Sequence, residues 1–174
     1  MSRRAWACQH ARMDLHFYWN DFWRYGGHLL AAFLLTLPIA WERESSTRMM
    51  GLRTLPLVAL ASCAWVLVGS LIAGDDANAQ SRLLGGLIAG IGFIGGGAVL
   101  KSRSGVHGTA TAASIWATGV LGAAIGYGML EIAVLISLIT LATLLVLRPI
   151  ERLMGTEADG RHHLRGEVED TGDD

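Results

Sequence analysis

The sequence predicts an all-α polytopic membrane protein, a bundle of about five transmembrane helices. Three observations predict it. Charged residues make up 17% of the 174 residues, and mean hydropathy is positive at +0.40; soluble domains carry ~25% charge. Between Gly26 and Leu147 the charges gather in short clusters separated by long apolar runs. Five of those runs approach or reach the roughly 17 to 25 apolar residues that a membrane-crossing helix needs.

The first run is Tyr25–Trp41 and the second Thr54–Ala73. The third is Leu83–Leu100, the fourth Thr109–Met129 and the fifth Leu130–Leu147. None contains Arg, Lys, Asp or Glu except Glu131, which sits at an end. The first and third are short and should lie with little tilt. The fourth and fifth meet in a tight turn at Gly126–Glu131. Arg148-Pro149 ends the fifth, because proline cannot continue a helix. A re-entrant hairpin of the third and fourth runs is an alternative, which their lengths and the polar loop between them disfavour.

The chain thus divides into an N-terminal interfacial segment (1–24), a transmembrane domain (25–150) and a disordered cytoplasmic tail (151–174). His16, Phe17, Tyr18, Trp19, Phe22 and Trp23 form an aromatic anchor of the kind found at membrane interfaces. No small-residue cleavage site follows the first apolar run, so residues 1–24 are not read as a signal peptide. With five crossings, Arg43, Arg48, Arg53, Lys101, Arg103, Arg148, Arg152, Arg161 and Arg165 share one side of the membrane. Arg3, Arg4, Arg12, Arg24 and Arg82 share the other. Positive residues near span ends favour the cytoplasm, which predicts an outside amino terminus and a cytoplasmic carboxy terminus. Arg3, Arg4 and Arg12 run against that bias, and translation from Met13 would remove them.

Thirteen of the 22 glycines fall between Gly85 and Gly128. In lipid, small residues let helix backbones approach closely and gain van der Waals contact. Gly86 and Gly90, and Gly92 and Gly96, are spaced by four in the third run. Ala110, Ser114, Thr118, Gly122 and Gly126 repeat every four positions in the fourth. Tight packing of both strips is expected; the functional alternative is that the close approach also lines a path or a partner-docking groove. Gly95-Gly96-Gly97 is a weak helix former and predicts a local bend or unwinding in the third span. No Gly-Lys-Ser/Thr follows the glycines, so they are not a phosphate loop.

Trp41-Glu42-Arg43-Glu44 closes the first run, and Arg53-Thr54 opens the second. The loop between them is short, so these residues are either the interfacial charges that flank any span or an ion-paired latch, expected from Arg53 to Glu42 or Glu44, that fixes the first hairpin against the third span. No acidic residue lies near the middle of a span, whereas a dehydrated divalent cation needs several oxygen ligands. Cys8 and Cys63 match no metal spacing, and His162-His163 reads as solvated tail. No nucleophile–base cluster appears, so no enzyme, no cofactor and no metal centre are expected. The net charge of −1 gives no reason to expect nucleic acid.

Four ordered motifs resemble the MgtC/SapB membrane family. They are Trp41 to Glu44 with Gly51-Leu52-Arg53-Thr54; Arg82; Gly90-Ile91-Gly92-Phe93-Ile94-Gly95-Gly96-Gly97; and Gly108-Thr109-Ala110-Thr111-Ala112-Ala113-Ser114-Ile115-Trp116-Ala117-Thr118. Together they run from about Leu35 to Gly128. The family often has an aspartate three residues before the matched arginine; here Ala79 stands there, with Asp75 and Asp76 upstream. Many members carry a soluble regulatory domain after the fifth span, and this chain stops before one. The resemblance implies a bacterial inner-membrane protein that serves adaptation to low magnesium or acid. It implies regulation by contact with other membrane complexes, such as the ATP synthase. A magnesium transporter or channel subunit is the alternative. Partners are then the lipid bilayer, another membrane protein, or further copies of this chain in a homo-oligomer.

Overall fold

The structure is a computed structural model that describes residues 19–47, 51–102 and 105–147. The expectations for Met13 and for His16 to Tyr18, for Arg148-Pro149, and for the tail with His162-His163 lie outside the described residues. Five helices follow in order: α1 (Trp19–Thr47), α2 (Thr54–Ala73), α3 (Ala77–Gly97), α4 (Thr109–Gly126) and α5 (Leu130–Leu147). A two-stranded antiparallel hairpin, β1 (Leu100–Ser102) and β2 (Gly105–His107), joins α3 to α4. By length and composition α2, α4 and α5 are long and apolar enough to cross a membrane.

The limits of α2 and α5 coincide with the second and fifth apolar runs. α1 extends the first run at both ends, because a helix continues into water where a hydropathy window stops. It also contains Pro38, which helices in lipid tolerate. α3 begins six residues before the third run. Asp76 caps it, its Oδ1 accepting from the backbone N–H of Asn78 at 2.9 Å and of Ala79 at 3.2 Å. That satisfies two of the four donors a helix start leaves open. Gly95 to Gly97 are the last turn of α3 and stay helical, so no unwinding occurs within the span.

α4 ends three residues short of the fourth run. The Met129 N–H bonds the Ala124 carbonyl at 2.9 Å, the Gly128 N–H bonds Ile125 at 2.8 Å, and Gly128 takes φ +77°. This closing pattern, with a left-handed glycine just past the helix, stops the chain sharply. It is the expected tight turn into α5.

The helix directions follow from which residues meet. A Cβ on Gly122 of α4 would fall on Ala59 of α2, and one on Gly126 on Cys63 and Val66; both numbers rise together, so α2 and α4 are parallel. Gly119 faces Ile91 and Gly95 faces Ala112, so α3 runs antiparallel to α4. α3 also meets the far end of α2, where Gly69 faces Leu83 and the Trp65 indole donates to the Leu83 carbonyl at 3.1 Å. The third helix therefore traverses the length of the bundle instead of turning back halfway.

The core is small and lies around α2 and α4. Ile39, Leu55, Ala59, Cys63, Ile115 and Leu121 have no exposed surface. α3 buries only Ile91 and Gly95, and α5 only Ala133 and Ser137. The Ser137 hydroxyl ties α5 to α1 by donating to the Leu35 carbonyl at 2.7 Å. Large apolar side chains such as Ile72, Phe93, Leu138 and Ile139 point outward, a surface suited to lipid and not to water.

Candidate functional site

The inner face of α1 reads Ala32, Thr36, Ile39, Ala40 and Arg43, all buried and spaced at 4, 3, 1 and 3 as a helical stripe requires. Arg43 thus continues an apolar stripe into the bundle and is only 6% exposed. Its Nη2 donates to the Thr111 hydroxyl at 2.9 Å. Thr111 lies in the first turn of α4 and is itself buried. Glu42 is 5% exposed; its carboxylate accepts from the Ser46 hydroxyl, and its carbonyl accepts from Ser45 at 2.9 Å. Burying charged groups is costly unless they are bonded; these Glu42 bonds lie within α1, and the Arg43–Thr111 bond holds the end of α1 against α4.

Two glycines make that approach fit. A Cβ on Gly51 would stand 2.5 Å from the Ala40 carbonyl and 2.6 Å from the Glu44 nitrogen. One on Gly108 would stand 2.1 Å from the Ala98 carbonyl, and Gly108 has φ +87°, a conformation that favours glycine. Gly51 seats the lead-in to α2 on α1, where the Leu52 N–H donates to Glu44 Oε2 at 3.3 Å. Gly108 closes the hairpin and aims α4.

The expected latch from Arg53 to Glu42 or Glu44 does not form. Arg53 is exposed at the start of α2, and the ion pair found among the described residues is Arg24–Asp21. Helical phase explains it: Arg43, not Arg53, carries the cation inward. Thr54 is half-buried beside Arg53.

The other motif residues divide into two groups. Thr118 is fully buried and returns its hydroxyl to the carbonyls of Ser114 and Ile115. The strip Ser114, Thr118, Gly122 and Gly126 packs as expected: a Cβ on Gly122 would lie 2.2 Å from the Ala59 carbonyl, so the α2 and α4 backbones nearly touch. Gly95 faces the Ala112 carbonyl at 3.5 Å. By contrast Gly90, Gly92, Phe93, Gly97, Ala113, Trp116 and Arg82 are exposed. The expected packing of Gly86, Gly90, Gly92 and Gly96 is not found among the described residues, none of which lies within 4 Å of a Cβ on any of them. α3 turns Ile91 and Gly95 inward, which leaves the remaining glycines on its outer side.

Ser46, Gly119 and Ser137 are part of these contacts and went unremarked in the sequence. Gly119 had a signal, lying one turn from Gly122; an isolated serine in an apolar run has none.

The MgtC family model matches residues 29–153. The chain belongs to the MgtC family. Its MgtC-family relatives include Protein MgtC of Brucella abortus, 32% identical over 140 residues, which are 80% of this chain and 58% of that protein. Protein SrpB of Synechococcus elongatus is 38% identical over 137 residues, covering 72% of this chain and 75% of that protein. Protein MgtC of Salmonella typhi is 33% identical over 143 residues, 79% of this chain and 61% of that protein. The chain therefore spans somewhat over half the length of the MgtC proteins it matches. No solved structure matches it.

Proposed function

We propose that this MgtC-family chain is a non-enzymatic regulator of the bacterial inner membrane. It crosses five times, with the amino terminus outside and the carboxy terminus in the cytoplasm. It acts in adaptation to magnesium limitation or acid by docking another membrane complex, such as the ATP synthase. The observation that carries this reading is the outer side of α3. Gly85, Gly86, Gly90, Gly92, Gly96 and Gly97 lie open there, with none of the described residues within 4 Å of an added Cβ.

Glycines cost helix stability and in lipid are useful where a second helix comes close. Within the chain, Gly122 and Gly126 meet that condition against α2. Among the described residues no helix meets these α3 glycines, and a helix of another molecule would meet that condition. The up-and-down order of the helices, together with the positive residues near the Arg43 end, supports the crossing number and the orientation.

A photo-crosslinking residue at Gly96, in cells starved of magnesium, tests the reading. Crosslinks to a subunit of one membrane complex are expected, with none from a control position at Leu138 on α5. Magnesium flux by the purified chain in liposomes, with no crosslinked partner, would replace this reading with transport.

A further inference from the structure

The last turns of α1 hold a feature that the docking face does not use. Trp41, Glu44 and Ser45 share one side of the helix, and with Leu52 they line a hollow of 450 Å³. Glu44 is half-buried there. Its Oε2 accepts one long bond, 3.3 Å, from the Leu52 N–H. No ion pair to Glu44 is found among the described residues. Arg43 is turned to Thr111 and Arg53 is exposed. Among the described residues, then, no arginine offsets the charge of this carboxylate.

Its walls suit a cation. The Trp41 indole is 70% exposed, and an indole face attracts ammonium and guanidinium groups. A carboxylate accepts short, strong bonds from N⁺–H donors. Leu52 adds an apolar wall for the stem that carries the charge. The depth narrows the source of the cation. The apolar run of α1 ends at Trp41 and the charges begin at Glu42, so the hollow sits at headgroup level, where tryptophans collect. A lipid amine is concentrated there, and mass action favours it over a dilute soluble amine.

We propose that this hollow binds the ammonium headgroup of an aminophospholipid such as phosphatidylethanolamine. Glu44 accepts from the ammonium and Trp41 packs on it. The assignment rests on the proposed crossing of the membrane by α1, and not on the docking reading.

The test uses the full chain in nanodiscs of mixed phosphatidylethanolamine, phosphatidylcholine and phosphatidylglycerol, with retained lipids counted by native mass spectrometry. Phosphatidylethanolamine should be retained about tenfold over phosphatidylglycerol. It should also exceed phosphatidylcholine, whose quaternary nitrogen has no N–H to give Glu44. Glu44→Gln should bring that preference to within about twofold, with an unchanged unfolding midpoint, and Trp41→Leu should lower it in part. Equal retention of the ethanolamine and glycerol lipids by the wild type would overturn the proposal whether or not the variants fold. So would an undiminished preference in Glu44→Gln. Displacement of the lipid by an equal concentration of free ethanolamine would reassign the hollow to soluble amines.

Discussion

Arg43 of α1 donates a 2.9 Å hydrogen bond to the Thr111 hydroxyl of α4, across 68 positions of chain. Both side chains are buried, so the contact fixes the end of the first helix to the start of the fourth. Removing one partner of a buried charged contact usually costs about 3–5 kcal/mol. Arg43→Ala should lose about 3 kcal/mol and Thr111→Val about 1–2 kcal/mol. The double variant should lose about 1 kcal/mol less than the sum. A double-mutant cycle by reversible unfolding in detergent checks this, and strict additivity would show that the bond contributes nothing.

Gly122 and Gly92 should respond to alanine in opposite ways. On Gly122 the new Cβ meets the Ala59 carbonyl at 2.2 Å, a backbone atom that cannot swing aside. Forcing α2 and α4 apart should cost about 2–3 kcal/mol. On Gly92 the Cβ meets nothing, and the better helix propensity of alanine should leave stability unchanged or raise it by up to about 1 kcal/mol. Unfolding midpoints of the two variants, side by side, decide it.

Arg53→Ala should change stability by no more than about 0.5 kcal/mol, the usual range for an exposed position without special contacts. Its effect should add to that of Glu42→Gln within about 0.5 kcal/mol. A coupling larger than that would restore the latch between these residues.

Gly108→Ala should destabilise by about 1–2 kcal/mol through its left-handed backbone alone, and by more through contact with the Ala98 carbonyl. Because Gly108 aims α4, the Arg43–Thr111 bond should loosen too. Faster hydrogen exchange at the first amides of α4 would report it; exchange unchanged from wild type would place the strain elsewhere.

Much of this architecture was legible in the sequence, for a simple reason. Where a helix is apolar from end to end, as α2 and α5 are, hydropathy marks both ends. It failed at α3, whose first turn is polar and is set by the Asp76 cap, a local signal that a hydropathy window does not weigh. The site was half legible. The motifs that include Glu42 with Arg43 and, separately, Thr111 stand out in the sequence, but closeness along the chain favours Arg53 as the cation where helical phase selects Arg43. Ala32, Thr36, Ala40 and Arg43 share one stripe, and that spacing placed Arg43 inward. The glycines of α3 and α4 have the same pattern in sequence, yet only those of α4 pack within the chain. Which strip meets its own bundle depends on helix rotation, and that is fixed by long-range contacts such as Ile91 on Gly119.

The docking role of α3 is tested most directly by Gly92→Leu and Gly96→Leu, each read twice: unfolding in detergent and growth under magnesium limitation. The open face predicts unfolding midpoints no lower than wild type, because the added side chains meet none of the described residues and leucine favours the helix over glycine. It also predicts loss of growth, because a bulky side chain holds the partner helix away. Full growth with stable, membrane-inserted protein would contradict it, and the open glycines of α3 would then be a surface for lipid alone.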